Sequence, residues 1–298
     1  MLTENAKAII AWLNVSVIWG TTFLVIRIGV GHLPPMLFAG IRWVLAGAIF
    51  IFFLRWRGWA LPKAKELIHL AVVGLALLGF ANGLVVFAEQ WIPSGLTALL
   101  LTTMPFFMVG LESLLPKGPK LNAAILTGLV MGLVGVCLIF GEEVKYLNDP
   151  DNLIGVFALL GAVCFWSAGS LYSKYVKVDV HPLMGASVQM LIAGIFLSVI
   201  GISIGELSRL SFEINGLLSL AYLILFGSFV GYASYIYALA KLPLSLVSTF
   251  AYINPVIALF LGWIILDEKL NLQIVIAAVV IIAGVFIVKQ GAARLKNS

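Results

Sequence analysis

Residues 19–47 read WGTTFLVIRIGVGHLPPMLFAGIRWVLAG, and residues 166–194 read WSAGSLYSKYVKVDVHPLMGASVQMLIAG. At a constant separation of 147, Trp19 meets Trp166, Leu24 meets Leu171, Arg27 meets Lys174, Pro35 meets Pro182, Ala39 meets Ala186, Ala46 meets Ala193 and Gly47 meets Gly194. Further out, Pro93, Pro105 and Leu111 return as Pro243, Pro255 and Leu261 at a separation of 150. Lys120-Leu121-Asn122 and Gly135 return as Lys269-Leu270-Asn271 and Gly284 at 149. Loop insertions and deletions in a duplicated unit produce such a small drift. The chain is one unit written twice.

The composition says what kind of unit. The chain is 62% hydrophobic and 10% charged, with a mean hydropathy of +1.12. Soluble domains are roughly 45–50% apolar and about 25% charged, so a soluble globular fold is excluded. Ten apolar runs approach the roughly 20 helical residues that cross a bilayer core: Ile9–Ile28, Pro35–Leu54, Ile68–Phe87, Pro93–Leu115, Leu121–Phe140, Leu153–Tyr172, Pro182–Ile202, Leu217–Ala238, Pro243–Leu266 and Leu272–Val288. Each run is continuously apolar, not alternating, which predicts helices over barrel strands. The expected fold is an all-α integral membrane protein of ten transmembrane helices.

Five spans per copy force the second copy to enter the bilayer from the opposite side. The expectation is two inverted-topology five-helix repeats, residues 1–140 and 153–298, joined by the charged linker 141–152. With a cytoplasmic N-terminus, the inner side carries Lys7, Arg55, Arg57, Lys63, Lys65, Lys117, Lys120, Lys174, Lys177, Lys241, Lys289, Arg294 and Lys296. The outer side carries only Lys145, Arg209 and Lys269. This bias places both termini in the cytoplasm. The net charge of +5 is thus a topology signal and not a nucleic-acid footprint. The first span does not read as a cleaved signal peptide. Cys137 and Cys164 fall within spans and are expected as small buried apolar side chains, not as a disulfide.

Inverted repeats place binding sites near the midplane, where the copies meet, and let exchange of two conformations open each side in turn. This favours a carrier; a duplication kept for packing alone is the alternative. Pro105 and Pro255 each lie 12 residues into their spans. A helix-interior proline cannot donate a hydrogen bond and frees the carbonyl four residues earlier, here those of Leu101 and Ala251. Each is read as a hinge or cavity wall, or as a kink whose carbonyl a nearby hydroxyl satisfies.

At these residues the chain resembles the drug/metabolite transporter superfamily in its EamA-type form. The resemblance rests on Trp19-Gly20-Thr21-Thr22-Phe23 with Arg27, on Pro35 followed by Arg42, on the mid-span prolines, and on Asp267-Glu268-Lys269-Leu270 closing the ninth span. It departs from the pattern at Lys117-Gly118, where an acidic residue is expected, and at Ser167 and Gln189 in the second copy. Within the superfamily it is most similar to the YddG-type bacterial exporters of aromatic and other amino acids. The resemblance implies secondary export of amino acids or related metabolites across a bacterial inner (plasma) membrane, without ATP hydrolysis. Broad-specificity drug/metabolite efflux and passive facilitation are the alternatives.

The candidate solute-binding residues are Trp19, Thr21, Thr22, Asn82, Thr102, Thr103, Trp166, Ser170, Tyr232, Tyr235, Thr249, Tyr252 and Asn254. They offer flat apolar faces with hydroxyl and amide groups and no fixed charge, which suits a small neutral or zwitterionic solute. Ordinary helix–helix hydrogen bonds are the competing role for each. Arg42 could contact solute, snorkel to the surface or pair with a carbonyl. Glu112 is expected at the cytoplasmic end and Glu89 in an outer loop. Gly128-x-x-x-Gly132 with Gly135 is expected to pack on the tenth helix of the same molecule, which favours a functional monomer. His32, His69 and His181 are scattered, and no catalytic, metal-ligand or P-loop spacing occurs. Neither enzyme nor cofactor is expected; the partners are the lipid bilayer and the solute.

Overall fold

A computed structural model describes residues 3–92, 94–116, 118–119, 121–141, 152–211, 213–257 and 272–297. The described chain is helical, with no strand among the described residues: α1 Glu4–Val30, α2 Pro35–Trp56, α3 Ala64–Ala88, α4 Leu96–Ser113, α5 Ala123–Phe140, α6 Leu153–Tyr175, α7 Pro182–Ser203, α8 Ile214–Lys241, α9 Leu244–Ile257 and α10 Leu272–Asn297. Eight of these are long and apolar enough to cross a membrane; the described apolar parts of α5 and α9 are shorter. Most of the linker (142–151), Pro93, Lys117, Lys120 and the ninth span beyond 257, with Asp267-Glu268, lie outside the described residues.

Side chains and caps set the ends. Thr3 Oγ1 accepts from Ala6 N at 3.2 Å to start α1, and Asn122 Oδ1 accepts from Ile125 N at 2.8 Å to start α5. Proline occupies the first turn of α2 and of α7, where its missing donor costs nothing. At one end of the bundle Lys241 Nζ lies 3.6 Å from Glu4, and Asn122 Nδ2 donates to Gly291 O at 2.9 Å. At the other, Glu206 accepts from Met36 N and Leu37 N at 3.2 and 2.8 Å, and Gln273 Nε2 donates to Leu138 O at 2.7 Å.

Because the helices are apolar all round, glycines and not an amphipathic stripe decide which faces meet. α2 crosses α7 antiparallel at Gly40, Gly47 and Gly194. A Cβ on Gly47 would lie 2.5 Å from Leu191 N, and one on Gly194 would lie 2.7 Å from Trp43 C and collide with Val44 N. α5 crosses α10 in the same way: a Cβ on Gly128 would lie 2.6 Å from Gly284 O, and one on Gly135 3.0 Å from Ala277 O. These contacts come in exchanged couples. Adding the repeat separation turns Val44–Gly194 into Leu191–Gly47, and Gly128–Gly284 into Ala277–Gly135. The expected α5–α10 packing is therefore present within one molecule. Cys137 and Cys164 are free, but exposed and not buried as expected; among the described residues no neighbour covers their helix faces.

Candidate functional site

The site is built where α3 and α8 change their winding. Leu75–Asn82 in α3 and Leu223–Tyr232 in α8 are π-helical, and their starts and ends are repeat counterparts at separations of 148 and 150. A π-helical turn widens the backbone and leaves carbonyls open to other donors. Trp19 Nε1 takes one, donating to Gly227 O at 3.1 Å. The close approach requires glycine, since a Cβ on Gly231 would collide with the Trp19 indole nitrogen. Periodicity alone did not indicate these turns; the glycine pairs Gly79/Gly83 and Gly227/Gly231 are the signal that could have.

Trp19 then meets the rest of an aromatic cluster. Its ring centroid lies 5.3 Å from Trp166 (edge to face), 5.3 Å from Tyr235 and 5.2 Å from Phe250. Trp166 is held by a closed loop of hydrogen bonds. Its Nε1 donates to Tyr235 OH at 2.9 Å, and Ser170 Oγ donates to Trp166 O at 2.6 Å. That leaves the Tyr235 hydroxyl to donate to Ser170 Oγ, 2.6 Å away. Ser170 and Tyr235 thus orient an indole and do not themselves line the space beside it.

That space is a cavity of about 80 Å³. One water needs roughly 10–15 Å³ on this scale, so several waters or a small polar group fit. Among the expected residues Trp19, Thr22, Asn82, Trp166 and Asn254 line it, together with Arg42, for which solute contact was one of the readings, and with Phe23, Trp43, Met104 and Phe250. Asn82 Oδ1 accepts from Trp43 Nε1 at 2.9 Å. With its amide turned to satisfy the neighbouring carbonyls, Asn254 donates to Ser16 O and Phe250 O, both at 2.9 Å. Arg42 does not snorkel. It is 3% exposed, its Nε donates to Ser228 Oγ at 3.0 Å, and its guanidinium carbon lies 4.1 Å from the Trp43 ring centre.

Residues 6–141 and again residues 153–290 match the EamA-like transporter family. The chain belongs to that family. It is 34% identical over 281 residues to the uncharacterized inner membrane transporter YedA of Escherichia coli (strain K12), covering 92% of this chain and 88% of that protein. It is 29% identical over 290 residues to the uncharacterized transporter YoaV of Bacillus subtilis (strain 168), covering 94% and 96%. It is 27% identical over 287 residues to a probable amino-acid metabolite efflux pump of E. coli (strain K12), covering 92% of each. One protein of known crystal structure shares the fold, with a TM-score of 0.80 at 20% identity, covering 96% of this chain and 98% of the other. This EamA protein is a multi-pass inner membrane transporter.

The other expected residues of this EamA chain lie off the cavity. Thr21 is hydrogen-bonded to Tyr222 OH at 2.6 Å, and Tyr232 OH donates to Gln189 Oε1 at 2.7 Å. Thr102, Thr103 and Thr249 donate to the carbonyls of Leu99, Leu100 and Leu246, three residues back. Tyr252 packs on Gly132, its hydroxyl buried and unpartnered. α4 breaks at Thr102-Thr103, and Pro105 sits in the first turn of the half-helix that resumes at Met104. In α9 the interruption is at Thr249, and Pro255 lies within the turns that follow. Two buried carboxylates occupy the ends. Glu89, expected in an outer loop, is fully buried at the C-terminus of α3, where Arg27 donates to its backbone carbonyl. Glu112 accepts from Tyr175 OH at 2.9 Å. Lys174, the repeat counterpart of Arg27, donates to Leu239 O and Leu242 O at 3.3 and 2.6 Å, at the end of α8.

Proposed function

We propose that this EamA transporter is a secondary carrier of ten spans in two inverted five-helix halves, which exports neutral, zwitterionic amino acids or related small metabolites by alternating access. The observation that carries the reading is the cavity between the copies, walled by Trp19 and Trp166 and fitted with the amides of Asn82 and Asn254. Flat indole faces take an apolar side group, and the amides take polar ends without a fixed charge of their own. The antiparallel crossings of α2 with its counterpart α7 and of α5 with its counterpart α10 support an inverted pair, since copies of the same topology would set counterpart helices parallel. A relative named as a probable amino-acid metabolite efflux pump supports the substrate class. In this reading Trp19, Thr22, Asn82, Trp166 and Asn254 touch the solute, the breaks near Pro105 and Pro255 flex, both termini are cytoplasmic, and a monomer suffices.

Counterflow in proteoliposomes tests it. Internal unlabelled amino acid should accelerate entry of labelled amino acid, and Trp19→Ala or Trp166→Ala should abolish the acceleration. Equal entry with and without internal solute would indicate a passive facilitator. Competition by lipophilic cations but not by amino acids would indicate broad efflux. Either result overturns the proposal.

A further inference from the structure

Among the described residues Arg42 is a charge without a counter-ion. A guanidinium offers five N–H donors and no acceptor, yet the only hydrogen bond of Arg42 to a described residue is the one from Nε to Ser228 Oγ. Among the described residues no carboxylate lies within ion-pair distance of it. The described buried acids lie elsewhere: Glu66 bonds Lys63 N, Glu112 bonds Tyr175 and Glu206 bonds the start of α2, while Glu89, its carboxyl oxygens without a hydrogen bond to a described residue, sits near Arg27. An unpaired buried charge is costly, and the Trp43 ring beneath it supplies only part of the compensation. Arg42 is a wall of the same cavity as the two indoles and the two amides. The counterpart wall is different in kind: the repeat position holds Gln189, neutral and already bonded to Tyr232. The cavity therefore has one cationic side.

We infer that Arg42 is the receptor for a carboxylate carried by the solute, so that the cavity selects carboxylate-bearing compounds and disfavours lipophilic cations. The planar fork of a guanidinium matches a carboxylate in two parallel N–H···O bonds. The indoles of Trp19 and Trp166 would face the remainder of the molecule, where an ammonium or an apolar group can lie on a ring. The inference deepens the transport reading by naming the chemical group that must be present.

The test uses matched acids and amides on the purified full chain: phenylalanine with phenylalaninamide, leucine with leucinamide, and phenylacetate with phenylacetamide. Binding is read from ligand-dependent thermal stabilisation of the wild type, of R42K and of R42Q. Wild type is expected to bind at least one acid about tenfold tighter than its amide, the size of one charge-assisted hydrogen bond. R42K should keep part of that preference and R42Q should lose it. If R42Q does not fold, the acid-to-amide ratio in wild type and its reduction in R42K carry the result. Equal binding of acid and amide by wild type, no binding of any pair, or a preference unchanged in the variants would overturn the inference. So would stabilisation by chloride alone to the same extent as by the acids. The two readings fail separately. Counterflow of amino acids without acid–amide discrimination sinks the role of Arg42 and leaves the carrier; discrimination in binding without counterflow does the reverse.

Discussion

Trp19 and Trp166 meet edge to face with their ring centroids 5.3 Å apart, although 147 residues separate them in the chain. Each indole N–H is satisfied by α8, one by Gly227 O and the other by Tyr235 OH. The pair is thus held from one helix while its rings face the cavity. Such aromatic pairs contribute about 0.5–1.5 kcal/mol beyond their burial. A double-mutant cycle of Trp19→Ala and Trp166→Ala, read as chemical or thermal stability, should give a coupling of about that size. Trp166→Ala alone should cost more, about 3–5 kcal/mol, because Trp166 is buried and Trp19 is open to the cavity. Additive effects would mean that the rings do not share an environment.

Glycines at the helix crossings should tolerate no side chain. Gly47→Leu and Gly194→Leu drive a side chain into the backbone of the facing helix, and cavities close by small rotations cannot relieve a main-chain collision. Each should lower the melting temperature of the detergent-solubilised protein by several degrees or prevent its accumulation. Gly110 is the internal control. A Cβ there meets nothing within 4 Å, and alanine favours a helix over glycine by about 1 kcal/mol. Gly110→Ala should therefore be neutral or stabilising, and a loss as large as that of Gly194→Leu would refute the assignment of the crossings.

Why these features were legible to different degrees follows from their physics. Helix existence and the repeat could be read from hydropathy and from Trp19/Trp166, Pro35/Pro182 and Gly47/Gly194, since long apolar runs and glycine crossings leave local marks. The cavity could be read only in part. Trp19, Asn82, Trp166 and Asn254 line it, whereas Thr102, Thr103 and Thr249 turn their hydroxyls back to their own helices. From sequence alone a threonine that bonds its own helix looks the same as one that faces a solute. Arg42 was undecidable for a related reason: depth within a span says nothing about which face of the helix it occupies. Glu89 meets Arg27, 62 residues away, through its backbone carbonyl, and no local pattern reports a contact of that kind.

That contact carries its own expectation. Arg27 donates to the Glu89 carbonyl and is the cation whose charge acts on the Glu89 carboxyl, while both carboxyl oxygens lack a hydrogen-bond partner. Glu89 is buried but Arg27 is exposed, so removing the cation takes a charged donor from the Glu89 carbonyl and costs about 1–2 kcal/mol. Arg27→Met should be modestly destabilising, and adding Glu89→Gln should recover part of the loss. A double variant no more stable than Arg27→Met alone would show that the two charges do not depend on each other.

Glu206 closes the start of α2 from the other copy. Its two oxygens accept from Met36 N and Leu37 N at 3.2 and 2.8 Å, where Pro34 offers no side-chain cap. A carboxylate at a helix N-terminus satisfies open donors and complements the helix dipole. Glu206→Ala should cost about 1–2 kcal/mol in thermal or denaturant unfolding, the range for loss of a cap. Glu206→Gln, which keeps an acceptor but not the charge, should cost less. An unchanged melting temperature in Glu206→Ala would mean that water replaces the carboxylate.

His181 makes the start of α7 sensitive to pH. Its Nδ1 accepts from Leu183 N at 3.3 Å, and its ring packs edge-on against Trp59 with centroids 4.1 Å apart. Burial, and then the positive charge of Lys241, hold its pKa below the ordinary 6.5. A base whose folded pKa is depressed binds its proton more readily in the unfolded chain, so stability rises with pH across that window. The contribution should be fully present above pH 6.5 and decline as the pH falls below it, since the proton removes the acceptor that caps the helix. The slope is small because the ring is largely exposed. Melting temperatures of wild type and His181→Asn should therefore run parallel above pH 7 and diverge below 6.5, the asparagine keeping a cap that does not titrate. Parallel curves down to pH 5 would show that the imidazole nitrogen does not support the helix.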